Sequence, residues 1–183
     1  QILGANDTCD HRQVNEISKT LHRASVLMLQ LEVNPTRSLE TAQEARSHGK
    51  TVILDPGPVR PIPRELLLHS SVITPNETEV EALVGFSIKN QSDAVEASMK
   101  LLQMGPTAVV IKLGSAGSYF TTEGDSGFIN PFNVNAVDSV GAGDAFNGAL
   151  AVGLGAGLDL RSCVEIASAA GALAVTKTGA QDS

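Results

Sequence analysis

Basic side chains are scarce in this sequence. It has 13 Lys and Arg against 20 Asp and Glu, a formal charge of −7. No basic face large enough to neutralise a phosphate backbone is visible, which excludes a non-specific polyanion binder and makes nucleic acid an unexpected partner. Phosphate contacts must therefore be local and built from backbone N–H groups. Cysteine is also scarce: Cys9 and Cys163 cannot make a disulfide framework or a four-thiolate zinc site, and the expectation is a reducing, cytoplasmic setting. No apolar run approaches the roughly 18–20 residues of a membrane span, and no basic-then-apolar segment opens the chain, so no membrane partner is expected. The four histidines, His11, His22, His48 and His69, do not cluster and read as surface residues. Aromatics make up 3%, with no Trp. An initiating Met, an internal repeat and a long linker are all absent, and the opening Gln1-Ile2-Leu3-Gly4 leads us to expect a processed, truncated or excised piece.

What is present is a chain of 183 residues, 42% of them hydrophobic. That length fits one domain spanning residues 1–183, since domains most often run to roughly 100–150 residues and commonly reach 200. Its size lets it bury a core without a disulfide or metal staple. Glycine is plentiful, and eight of the 17 fall between Gly141 and Gly179. Four of the eight prolines sit in Asp55-Pro56-Gly57-Pro58-Val59-Arg60-Pro61-Ile62-Pro63, which must be a loop because each Pro removes a donor and restricts its predecessor.

Elsewhere helical and strand patterns alternate. Val14, Ile17 and Leu21 recur at helical spacing, and 26–31 is an apolar run of strand length. Asn34-Pro35 places an N-cap before an N1 proline, and Gly49 stops the helix that follows. Strands are expected at 51–54, 72–73, 107–113, 119–122 and 128–137, and helices at 76–84, 92–104, 143–156 and 159–176. Met28, Met99 and Met104 read as core. Continuously apolar strands separated by helices imply a three-layer α/β/α fold with a mainly parallel sheet. Ligands in such sheets bind beyond the carboxyl ends of the strands.

The strongest local signal runs from Ala136 to Leu150 through Asp138-Ser139-Val140-Gly141-Ala142-Gly143-Asp144-Ala145-Phe146. A strand ends, a Gly-Ala-Gly turn follows and a helix starts near Asp144, which makes a concave anion site from backbone N–H groups and the helix dipole. Asp144 has two readings. It can favour the helix N-terminus electrostatically, or it can accept the proton of a hydroxyl that attacks a phosphoryl group held in the turn. In Thr74-Pro75-Asn76-Glu77-Thr78-Glu79, Asn76 as N-cap and Glu79 at N3 form a capping-box-like pair that needs no ligand. Lys112-Leu113-Gly114-Ser115-Ala116-Gly117 lies between two strands, as a tight turn or a ligand loop. Glu32 follows the strand at 26–31, either as a solvated terminus or in a ligand position. Gly179 suits a helix C-cap.

The segment 138–146 resembles the C-terminal signature of the ribokinase-like (PfkB) carbohydrate kinase family, and the resemblance extends across nearly the whole chain. It implies an ATP-dependent sugar kinase that transfers the γ-phosphoryl group to a primary hydroxyl, with ribose favoured and ATP and sugar as partners. On that resemblance Asp144 is the catalytic base and Gly141, Ala142 and Gly143 form the anion hole. Asn76 and Glu79 stand near Mg²⁺ and the phosphates, with a water-mediated role for the metal. Lys112, Leu113, Gly114, Ser115, Ala116 and Gly117 lie along ATP, Ser168 contacts adenine or ribose, and Glu32 contacts the sugar. Asp138, Val140, Ala174, Lys177, Gly179 and Ser183 supply oxygens to K⁺, mostly main-chain carbonyls.

The chain also departs from the family pattern. The N-terminal part of full-length members, with its Gly-Gly motif, most sugar-binding polar residues and β-sheet lid, is not in this sequence. An unpaired sheet edge is expected from that, with oligomerisation or pairing with the missing segment. Asp55-Pro56-Gly57-Pro58 stands where ribose-specific members usually show Asn-Pro-Ala-Pro. Two other functions remain: a non-catalytic nucleotide-binding fragment, and a pyridoxal or hydroxymethylpyrimidine kinase of the same superfamily.

Overall fold

The computed structural model describes residues 4–181. Its strands follow one another across a single sheet in chain order: β1 (Val26–Gln30), β2 (Thr51–Asp55), β3 (Val72–Ile73), β4 (Ala108–Lys112), β5 (Ser118–Thr122) and β6 (Ser126–Ile129). β1 to β4 are parallel, while β5 and β6 fold back antiparallel through short turns. The helices are α1 (His11–Leu21), α2 (Pro35–Ser47), α3 (Arg64–Leu68), α4 (Glu77–Val84), α5 (Gln91–Gln103), α6 (Ala142–Gly155) and α7 (Leu160–Ala174).

Parallel crossovers are right-handed, so strands added always in one direction put their connecting helices on one face. Leu21, Ala42, Ala45, Leu66, Leu67, Val80, Ala97 and Leu101 of α1 to α5 accordingly share one core with Val52, Leu54, Val109 and Ile111. The alternate strand residues Ile53, Ala108, Val110 and Phe120 point the other way, onto Phe146, Leu150, Cys163, Val164 and Ala167 of α6 and α7. The result is the three-layer α/β/α arrangement expected from the sequence. Small residues let α6 and α7 approach closely: a side chain at Gly153 would begin 2.8 Å from Cys163 Sγ.

Local signals set the helix ends. Asn34 accepts from the Thr36 N–H ahead of Pro35, Asp159 accepts from the Ser162 N–H, and Gly85 closes α4 in the left-handed region at φ 86°. Three expectations need correction. The strand expected at 128–137 ends at Ile129, because residues 130–137 run exposed over the surface without a ladder partner among the described residues. Helix α3 had no counterpart in the pattern; its five residues bury only Leu66 and Leu67, too few for a helical period to show. Met28 and Met99 are not core: they are 45% and 51% exposed, Met28 on the edge strand β1 and Met99 on the outer side of α5. Met104 does pack against the core. His11, His22 and His48 are exposed, as expected, and His69 is half-buried. No helix among the described residues is long and apolar enough to cross a membrane.

Candidate active site

The carboxyl ends of the parallel strands bring polar residues into one row. Gln30 ends β1 and stands in register with Asp55, which ends β2. Asn76 follows β3 and bridges to Lys112, the last residue of β4, where the Lys112 N–H donates to the Pro75 carbonyl at 2.8 Å. The N-terminus of α6 returns the chain to this row.

That return is built on Gly141, which caps α6 at φ 81°; a Cβ there would stand 3.1 Å from Ala180. A left-handed, crowded position of this kind requires glycine. Ala142 donates its N–H to Ser139 O at 3.3 Å, so one of the three expected anion-hole donors is engaged within its own turn. The Gly143 and Asp144 N–H groups have no backbone acceptor among the described residues, as the first turn of a helix dictates. They and the α6 dipole are available to an anion. The exposed Asp144 carboxylate stands in the same turn and accepts a 3.0 Å hydrogen bond from Gln30 Nε2. Asp144, Gln30, Met28, Asp55 and Asn147 line a cavity of about 190 Å³.

Beneath this turn lies a buried polar cluster. Asp55 Oδ2 accepts from Lys112 Nζ at 3.0 Å and from Asn147 Nδ2 at 2.5 Å, which ties β2, β4 and α6 together. Asp55 Oδ1 and Asn147 Oδ1 are buried without a partner among the described residues. Close by, the expected capping box is formed. Glu79 Oε2 accepts from the Asn76 N–H, Glu79 Oε1 from Asn76 Nδ2, and Asn76 Oδ1 from the Glu79 N–H. Burial pushes the Glu79 carboxyl above its ordinary range, and the Asp55 charge adds to this, while the Asn76 N–H and the Lys112 cation oppose it.

The remaining expected residues are placed as follows. Gly114, Ser115 and Ala116 form an exposed 3₁₀ turn closed by Gly117, whereas the Leu113 side chain is buried in the core. Ser168 Oγ lies 2.9 Å from the buried Ser118 Oγ, which joins α7 to β5. Glu32 stands two residues beyond β1, half-buried, rather than at the strand end itself. Asp138 accepts from the Gly179 N–H at 2.9 Å and the Val140 N–H at 3.0 Å, and these two bonds, Gly179 first, hold its carboxyl below the ordinary range. The Ala174 carbonyl accepts the Lys177 N–H at 3.2 Å. Ser183 lies outside the described residues. Gln30, Asp55 and Asn147 were missed as site residues by sequence reading. Asn147 sits one helical turn after Asp144, a spacing that could have pointed to it.

The chain matches the model of the pfkB family carbohydrate kinases over residues 4–183. The chain belongs to the pfkB family. Among curated proteins, a ribokinase of Staphylococcus aureus strain COL is 35% identical over 181 residues, covering 98% of this chain and 60% of its own length. A ribokinase of Haemophilus influenzae is also 35% identical, with 98% and 59% covered. The structure of Arabidopsis thaliana ribokinase complexed with ribose and ATP superposes with a TM-score of 0.85 at 32% identity, covering 91% of this chain and 54% of that one. The ribokinase-like fold is thus shown. The chain spans about 60% of the length of the curated relatives it matches.

Proposed function

We propose that this chain carries the phosphoryl-transfer site of an ATP-dependent sugar kinase, with ribose its first substrate. The observation that carries this reading is Asp144: an exposed carboxylate in the first turn of α6, beside N–H groups that have no backbone acceptor among the described residues, and open to a cavity. A carboxylate there repels a phosphate that merely rests in the turn. It becomes useful when it takes a proton from a hydroxyl attacking that phosphate. Asp144 is then the base, and the Gly143 N–H with the α6 dipole faces the charge that develops on the transferring group. The ribokinases among the relatives support the sugar branch over the vitamin kinases.

The residues present fit a magnesium ion brought in on the nucleotide. Both Glu79 oxygens already accept hydrogen bonds from Asn76, and the described residues contain no cluster of three ligating carboxylates, histidines or cysteines. Asn76 and Glu79 would therefore hold it through water, and Mg²⁺ would neutralise charge on the phosphates. The link from Asp138 to Gly179 brings the 138–140 and 174–179 segments together, which fits a K⁺ ion held by main-chain oxygens of Asp138, Val140, Ala174, Lys177 and Gly179. Lys112 and the 113–117 turn stand at the strand ends where the nucleotide would run.

Because the chain spans about 60% of its curated relatives, a nucleotide-binding role without catalysis is the second reading. D144N separates the two. Sugar-dependent ADP release should fall by roughly 10²–10⁴-fold while ATP binding is kept, and undiminished turnover would refute the base assignment.

A further inference from the structure

Lys112 and Asp55 form an ion pair whose side chains are only 15% and 10% exposed. Burying two charges is costly and is recovered only when their hydrogen-bonding capacity is used. This pair leaves much of it unused. An ammonium has three donors, and among the described residues Asp55 Oδ2 is the one acceptor within hydrogen-bond reach of Lys112 Nζ. The ammonium also stands directly against the anion-hole turn, 3.7 Å from where a Gly143 Cβ would be. Asp55 Oδ2 cannot be displaced easily, because Asn147 Nδ2 donates to it from below and the residue is 7% exposed.

We infer that Asp55 is a positioning residue: it holds the Lys112 ammonium against Gly143, so that the unused N–H donors meet the terminal phosphate of a bound nucleotide. This rests on the phosphoryl-transfer reading above and adds to it the cation that the scarcity of Lys and Arg otherwise leaves out. The terminal phosphate is the one addressed because Gly143 adjoins Asp144, where the accepting hydroxyl would stand.

The test is calorimetric binding of Mg-ATP and Mg-ADP to the protein and to K112M, D55L and D55N, with circular dichroism as the check on folding. A charge-assisted hydrogen bond implies that K112M loses roughly tenfold or more in ATP affinity, and ADP affinity should stay nearly unchanged. D55L should reproduce that selective loss. D55N, which keeps an oxygen to accept from both Lys112 and Asn147, should leave the ATP-to-ADP ratio close to that of the unaltered protein. A merely structural Asp55 would instead lower both affinities together. The inference is overturned if K112M weakens ATP and ADP equally or not at all, whether or not D55L folds. It is also overturned if a folded D55L keeps the original ratio. Failure of the unaltered protein to bind either nucleotide would overturn the phosphoryl-transfer reading along with it.

Discussion

Gly141 and Glu79 show how the site draws on the stability of the fold. Gly141→Ala places a side chain in the left-handed region, against Ala180 at 3.1 Å, and should lower unfolding stability by roughly 1–2 kcal/mol in denaturant titration. It should also weaken nucleotide binding, since the same residue aims the first turn of α6. For Glu79 the sign follows from burial. A carboxyl whose folded pKa is raised above the ordinary 4.5 contributes stability fully present below that value and lost as pH rises through the folded pKa. E79Q carries no such penalty. Its thermal midpoint relative to the unaltered protein should therefore improve from acid toward neutral pH, and a difference that is flat across that range would contradict the assignment. Asp138 works in the opposite sense: its carboxyl is held low by the Gly179 and Val140 N–H groups, so its link between 138 and 179 is fully present above the ordinary carboxylate pKa and lost only as pH falls through the lowered folded pKa. At this scale the residues on local motifs were legible. Asp144, Gly141, Asn76 and Glu79 each sit in a short pattern with a physical meaning of its own. Gln30, Asp55 and Asn147 were not legible as a site, because their partners lie 114, 57 and 92 residues away and only the strand register brings them together.

Among the elements, the helices and parallel strands were readable because caps and apolar runs mark them without reference to the rest of the chain. What failed depended on neighbours. Residues 130–137 have a strand-like composition but no strand beside them, and α3 is too short to show a period. Met28 lies in an apolar run that reads as interior, yet β1 pairs only with β2 among the described residues. Such an edge presents unpaired backbone groups beside an apolar side chain, the arrangement that invites another strand. The 183-residue chain should accordingly self-associate in light scattering, and Met28→Lys, a charge on the edge, should shift it toward monomer. A monodisperse monomer before the substitution would show that the edge is already protected.

Across the whole molecule, the shortage of basic residues that excluded a polyanion binder agrees with how the site is made. In the proposed site the anion donors are main-chain N–H groups at α6, and the cation beside Gly143, Lys112, is held by Asp55. The fold class was legible because apolar strands alternate with capped helices, and the family was legible through the resemblance of segment 138–146 to its signature. The sugar contacts were not, since the chain spans about 60% of the curated relatives and only Glu32 and Asp144 were read as meeting a sugar. The most direct measurement is ribose-dependent ADP release by the protein with Mg²⁺, compared with D144N. The expected result is turnover that requires ribose and falls by roughly 10²–10⁴-fold in D144N with ATP still bound; equal turnover in the two proteins would contradict the central claim that Asp144 is the base of a phosphoryl-transfer site.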